Sequence, residues 1–191
     1  MTASRDSFRA GMRHLAAGVS VITTATPQIS RCGLTATAVC SVSADPPTLL
    51  ACVNRASGTC AAIVAAERFA VNVLAVEDRE IANHFASPIP PEERFANGQW
   101  GTLITGSPVL ESAVVVFDCH LSRTLDIATH CILVGEIQAI SFREPHVRPL
   151  LHAHARFASI APIDPTGGST SSARPAVDLQ FLDDCLHWGL M

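Results

Sequence analysis

Apolar and polar positions recur, alternate and break along this chain in a way that lays out its elements. Phe8, Met12 and Leu15 stand at i, i+4 and i+7, with Ser7 placed to cap a short opening helix and Gly18 to end it. The β-branched run Val19 to Thr24 predicts a strand, and after the turn-like T-P-Q-I-S a second run, Arg31 to Ser43, predicts its partner. That second run keeps period two throughout. Cys32, Leu34, Ala36, Ala38, Cys40 and Val42 fall on one face, and Gly33, Thr35, Thr37, Val39, Ser41 and Ser43 on the other. Asp45-Pro46-Pro47 interrupts the pattern, with Pro46-Pro47 open to a cis bond, and Thr48 to Val53 resumes it.

Ser57 to Ala66 then predicts a helix, Phe69 to Leu74 a strand, and Glu77 to Phe85 a helix with Ile81 and Phe85 four apart. Ser87 to Gly106 is rich in Pro and Gly around Trp100, which predicts a long loop with a functional or subunit-contact role. Val109 to Asp126 and Cys131 to Phe142 are strand-rich. Mostly strands, with helices inserted at intervals, predicts a mainly β fold of barrel type rather than a doubly wound sheet.

Composition adds the domain plan. A chain of 191 residues suits one domain, placed at 1–161, because P-I-D-P-T-G-G-S-T-S-S-A-R-P reads as a flexible linker over 162–174. Val177, Phe181, Cys185 and Trp188 then predict an amphipathic C-terminal helix over 175–191. A mean hydropathy of +0.31 is high for a soluble monomer, so some apolar surface is expected between subunits.

Charge and residue usage exclude several classes. The net charge is -4 and the 13 basic residues, all arginine, are scattered singly, which leaves no footprint for nucleic acid. Without lysine there is neither a Schiff base nor a Walker-type phosphate loop. Seven cysteines with no C-x-x-C read as buried reduced thiols, and with no signal-like or membrane-length apolar stretch the expected location is cytoplasmic, away from the membrane. His152-Ala153-His154 lacks a third ligand nearby, so no metal is expected there.

What remains is the strand Gly33 to Ser43, then Asp45-Pro46-Pro47 and Val53-Asn54-Arg55-Ala56-Ser57-Gly58-Thr59. Small side chains let a planar ring approach the backbone, and Asn54, Arg55, Ser57 and Thr59 offer donors at a helix start, where the dipole favours a phosphate. On spacing alone, an ordinary amphipathic strand and a capped helix account for the same residues. His130 taken by itself reads as a hydrogen-bonded strand-end residue.

The series R-H-L-A-A-G-V-S-V-I-T-T, G-L-T-A-T-A-V-C-S-V-S-A-D-P-P, F-A-V-N-V-L, H-F-A, G-S-P-V-L and H-C-I-L-V-G-E-I resembles the flavin reductase family of the FMN-binding split-barrel fold, over about Phe8 to Ile160. The resemblance implies a homodimeric six-stranded split β-barrel that binds FMN or FAD near the subunit interface and oxidises NADH or NADPH. It implies a reductase component serving a flavin-dependent monooxygenase; alternatives are delivery of electrons to an acceptor such as a cob(II)alt corrinoid, or a non-catalytic flavin- or haem-binding module. By the same likeness Thr35, Ala36 and Thr37 line the flavin, and Cys40, Ser41 and Val42 offer backbone groups to its isoalloxazine edge. Asn54, Ser57 and Thr59 fall at the ribityl and phosphate contacts, Phe85 and Ala86 near the flavin, and His130 beside the nicotinamide and flavin rings as the catalytic histidine. One departure is visible. The family usually carries Gly-Asp before that histidine, whereas Ala128-Thr129 stand here.

Overall fold

Ser4, not Ser7, caps the opening helix α1 (Arg5–Met12): its hydroxyl accepts from the Ser7 backbone N–H at 3.1 Å. The helix stops before Leu15, and Gly18 belongs to a short strand, β1 (Ala17–Gly18), instead of terminating α1. This computed structural model describes residues 2–26, 28, 31–143 and 147–161, so the linker expected at 162–174 and the helix expected at 175–191 lie outside the described residues.

The remaining elements follow in order: β2 (Ser20–Thr24), β3 (Cys32–Ala36), β4 (Val39–Ala44), β5 (Pro47–Asn54), α2 (Gly58–Ala66) and β6 (Arg68–Val73). A 3-10 turn (Val76–Asp78) leads into α3 (Arg79–Ala86). Then come α4 (Pro91–Arg94), β7 (Trp100–Thr102), β8 (Pro108–Leu110), β9 (Val115–Ile127), β10 (His130–Phe142), β11 (Leu151–Ala153) and β12 (Arg156–Ala158). The expected long loop therefore contains a one-turn helix and a short strand. The cis peptide bond lies at Asp45–Pro46, one residue before the expected position.

The main sheet has seven strands in the order β3-β2-β6-β9-β10-β5-β4, with β1-β11-β12 and β7-β8 as small satellites. The paired strands expected after α1 are β2 and β3, antiparallel with Val21 opposite Thr35. The run 31–43 is not one strand. Its first half, β3, forms one edge of the sheet and its second half, β4, forms the other, so the main chain passes between edges through Thr37 and Ala38 alone. Two linking residues reach about 11 Å at most, so the sheet has to curl until its edges face each other. Cys52 N–H donates to Ala38 O at 2.9 Å and fixes the crossing.

Curling gives the sheet two buried faces. Inside lie Ile22, Ala36, Ala51, Val53, Phe69, Val71, Cys119, Cys131 and Leu133, joined by Cys60 and Ile63 of α2. Outside lie Val19, Val21, Ala70 and Leu74, covered by Ile81 and Phe85 of α3, Phe95 and Leu110. Successive residues of β2 and β6 thus feed different cores, which is why both strands are buried along nearly their whole length, polar residues included. The fully buried Asn72 donates to Val21 O at 3.0 Å and Thr23 Oγ1 at 3.1 Å and accepts from Leu110 N–H at 2.7 Å, tying β8 to β6. Among the described residues no helix is long and apolar enough to cross a membrane.

Candidate active site

Strand β5 delivers the polar segment 54–59 to one end of the curled sheet. Asn54 Oδ1 accepts from Ala56 N–H at 2.9 Å, an Asx turn that reverses the chain, and Ser57 Oγ caps α2 by accepting from Cys60 N–H at 3.1 Å. The first-turn N–H groups of Gly58 and Thr59 precede any intrahelical acceptor, so donors face outward at this end. Thr59 is buried, and its hydroxyl bonds to the Cys32 thiol, partly offsetting the upward push that burial gives that thiol.

His130 enters from the neighbouring hairpin. It opens β10 and stands directly opposite Asn54 of β5 on one side and Ile127 of β9 on the other. Only Ala128 and Thr129 form the turn, and Ala128 alone of the two has positive φ (50°), the pattern of a type II′ turn, whose first central position calls for glycine. The departure from the family's Gly-Asp pair is thus a strained residue at the glycine position. Ala128→Gly is expected to stabilise the protein by about 1 kcal/mol, a rise of about 2–4 °C in Tm by differential scanning fluorimetry. An unchanged or lower Tm would contradict the strain.

Arg55 holds this turn against α2. Its backbone N–H donates to Thr129 O at 3.0 Å, its Nη1 to Ala128 O at 3.4 Å, and its Nη2 pairs with Asp126 Oδ2 at 3.2 Å. Thr129 Oγ1 lies 2.8 Å from His130 Nδ1. His130 Nε2 is shielded and has no hydrogen-bond partner among the described residues.

The remaining expected site residues divide. Thr37 stands at the crossing beside Asn54's strand, and Cys40, Ser41 and Val42 are exposed on β4, an edge strand whose outer side is unpaired among the described residues. A register shift between Ser41 and Ser43 leaves Val42 unpaired in a bulge. Cys40, expected with the other cysteines as a buried reduced thiol, is exposed, because β4 lies at the sheet's rim.

Thr35, Ala36 and Phe85 do not present side chains to this surface. Thr35 is buried with its hydroxyl donating to Ala82 O at 2.7 Å, which anchors α3, and Ala36 belongs to the inner core. Phe85 is 2% exposed and packs edge-on against Phe95 at 4.9 Å and tilted against Trp100 at 5.4 Å, while its neighbour Ala86 stays partly exposed. The likeness placed these three at a ligand because motif position says nothing about which face is already occupied. His152 and His154 also separate: His152 packs on Phe157, and His154, in the following turn, on His14.

Beneath the site, Cys60 and Cys131 hydrogen-bond to each other, and burial beside Asp126 pushes the Cys131 thiol up to about 12. These thiols stay protonated and inert at neutral pH. Asp126 carried no sequence signal, since its partner Arg55 is distant in the chain.

A curled, mainly β sheet with an open edge, a capped helix start and a hairpin histidine at one end defines a class, and the family comparison gives the same answer. The model of the flavin reductase like domain matches residues 12–161, and the chain belongs to that family. It is 45% identical over 140 residues to the FMN reductase (NADH) RutF of Stutzerimonas stutzeri, covering 73% of this chain and 80% of that protein. It is 42% identical over 142 residues to the 4-hydroxyphenylacetate 3-monooxygenase reductase component of Pseudomonas aeruginosa, covering 73% and 83%. Among solved structures, the NADH:FAD oxidoreductase SgcE6 of Streptomyces globisporus in complex with NAD and FAD fragments superposes with a TM-score of 0.76 at 29% identity, covering 83% of this chain and 94% of that one.

Proposed function

We propose that this chain is an NADH-dependent flavin reductase that passes hydride from NADH to FMN or FAD and supplies reduced flavin to a partner oxygenase. The observation that carries the reading is the convergence, at one end of the sheet, of β4's edge, the start of α2 and a hairpin histidine, the edge unpaired and the histidine's Nε2 without a partner among the described residues. These groups fit a flavin. The unpaired edge of β4 around Ser41 and Val42, with Cys40 beside them, suits the heteroatom edge of a flat ring. The N–H groups of Gly58 and Thr59, with Asn54 and Arg55, suit a phosphate.

Bound flavin supplies the hydride-accepting centre. The protein's part is to orient the two rings against each other and exclude water, so no acid–base dyad is required and its absence from this site is consistent. Arg55 holds the His130 turn, and His130 orients the dinucleotide.

The same reading takes the sheet as the split barrel: counting Cys32 to Ala44 as one bent strand turns seven strands into six. It takes the protein as a homodimer, since Val42, Leu125, Ile127, Ile140 and Phe142 leave apolar side chains 44–76% exposed. Light scattering at the mass of one chain would sink the dimer.

Purified protein mixed with NADH and FMN should oxidise NADH well above the flavin-only rate, with FAD and NADPH as comparison arms; no acceleration in any arm would defeat the proposal. A second measurement locates the ring. Among the described cysteines only Cys40 is exposed, so in a Cys185→Ser background it should be the one thiol labelled quickly by a water-soluble disulfide reagent at pH 8. FMN at about ten times its Kd should slow that labelling about tenfold, as simple occupancy requires. Labelling at an unchanged rate would remove β4 from the site.

A further inference from the structure

The β9–β10 turn holds a contact that cofactor binding by itself does not require. Thr129 Oγ1 sits 2.8 Å from His130 Nδ1 and makes no other hydrogen bond among the described residues. On the far side of the ring, Nε2 is shielded and has no partner among the described residues. Leaving a buried nitrogen unpaired costs about 1–3 kcal/mol, so such groups need an explanation, and a bound molecule supplying the partner is one. We propose that the Thr129 hydroxyl donates to His130 Nδ1 and thereby fixes the tautomer in which Nε2 carries the proton, making Thr129 a positioning residue that turns His130 into a donor toward the oxygens of the reduced dinucleotide. This rests on the reading of His130 as the residue beside the nicotinamide.

The chemistry of the dinucleotide calls for that tautomer. Arg55 and the first-turn N–H groups of α2 are all donors, and a nicotinamide dinucleotide presents acceptors, its carboxamide carbonyl and its phosphate oxygens. A proton on Nε2 extends the donor set, whereas a proton on Nδ1 would aim an Nε2 lone pair at those oxygens. The hydroxyl also has a fixed platform, because Arg55 grips the turn at Thr129 O, Ala128 O and Asp126. The imidazole is only half-buried, so a small swing brings Nε2 to a ligand.

The test uses the full chain with FMN and 15N-labelled histidine, His130 being assigned by difference with His130→Gln. In alkaline buffer, two-bond 1H–15N spectra of the native protein and of Thr129→Ser should show His130 protonated at Nε2, and Thr129→Val should shift it toward a mixture. The KM for NADH should rise about fivefold in Thr129→Val, the loss of one hydrogen bond's worth of orientation, with kcat within twofold, and return to native in Thr129→Ser. A purely structural role would move neither the tautomer nor KM selectively. A native His130 protonated at Nδ1, or a Thr129→Val protein with native spectrum and KM, overturns the proposal. If His130→Gln leaves the KM for NADH unchanged, the placement of His130 itself fails and the proposal falls with it; if His130→Gln raises KM while the tautomer is wrong, only the role of Thr129 falls.

Discussion

Gly135→Ala should cost about 3 kcal/mol, lowering Tm by about 6–12 °C, at the upper end of what overpacking does in a filled core. The residue belongs to the H-C-I-L-V-G-E-I stretch of β10, next to a register shift between Val134 and Gly135 where the strand bends around the inner core. A Cβ built there would lie 2.6 Å from Phe69 Cζ and 2.9 Å from Cys119 Cβ. Phe69 and Cys119 are fully buried, so neither can move into solvent to make room. The glycine is needed for close approach, since its φ is not among the positive ones. The cause is separable from a general weakness of β10: Phe69→Leu shortens the obstructing ring, so the double variant should be more stable than the sum of the two single losses by about 1 kcal/mol or more. Additive losses, or a Gly135→Ala Tm within 2 °C of native, would show that the core accommodates the methyl.

How much of this was legible beforehand depended on the reach of each cause. The start of α2 was readable at Ser57, to within one residue, because the cap that fixes it is satisfied within three residues. The break of the 31–43 run into two edge strands was not, because Thr37 and Ala38 carry the chain across without disturbing period-two alternation. Once the run is divided between opposite edges, the faces inferred from alternation lose meaning: Thr35 on the hydroxyl face is buried under α3, and Cys40 on the apolar face is exposed. The same limit applies to Phe85, whose burial depends on Phe95 and Trp100 arriving from the loop read as irregular. Asn54, Ser57 and His130 were placed by motif order, and the structure sets them at one end of the sheet; Ala128 was noted as a departure, but its positive φ appears only in the fold.

Arg94→Met should be the most damaging single change outside the strands, at about 3 kcal/mol, with residues 87–95 becoming the first site cut in limited proteolysis. Arg94 Nη1 donates to Gly33 O at 2.8 Å, Nη2 to Ser87 O at 3.1 Å and Nε to Ile89 O at 3.2 Å. One guanidinium thus gathers three carbonyls from two segments, and burial lowers its pKa from the ordinary arginine value. Methionine keeps most of the stem's packing and removes every donor, leaving carbonyls that solvent reaches poorly, at about 1 kcal/mol or more each. The consequence reaches α3 and the outer core, because Gly33 adjoins Phe85, where an added Cβ would meet the Phe85 ring at 2.8 Å, and α3 hangs from Thr35 on the same strand. Phe95, next in sequence, lies under Arg31 at 4.8 Å and against Trp100, so a loosened Arg94 frees the aromatic cluster as well. Lysine, a point donor without the planar fork, should recover less than half of the loss, in contrast to a site that needs only positive charge. Denaturant melts of native, Arg94→Met and Arg94→Lys proteins decide it: equal stability of the lysine variant and the native chain would mean that charge, not the three-way fork, holds this loop to β3.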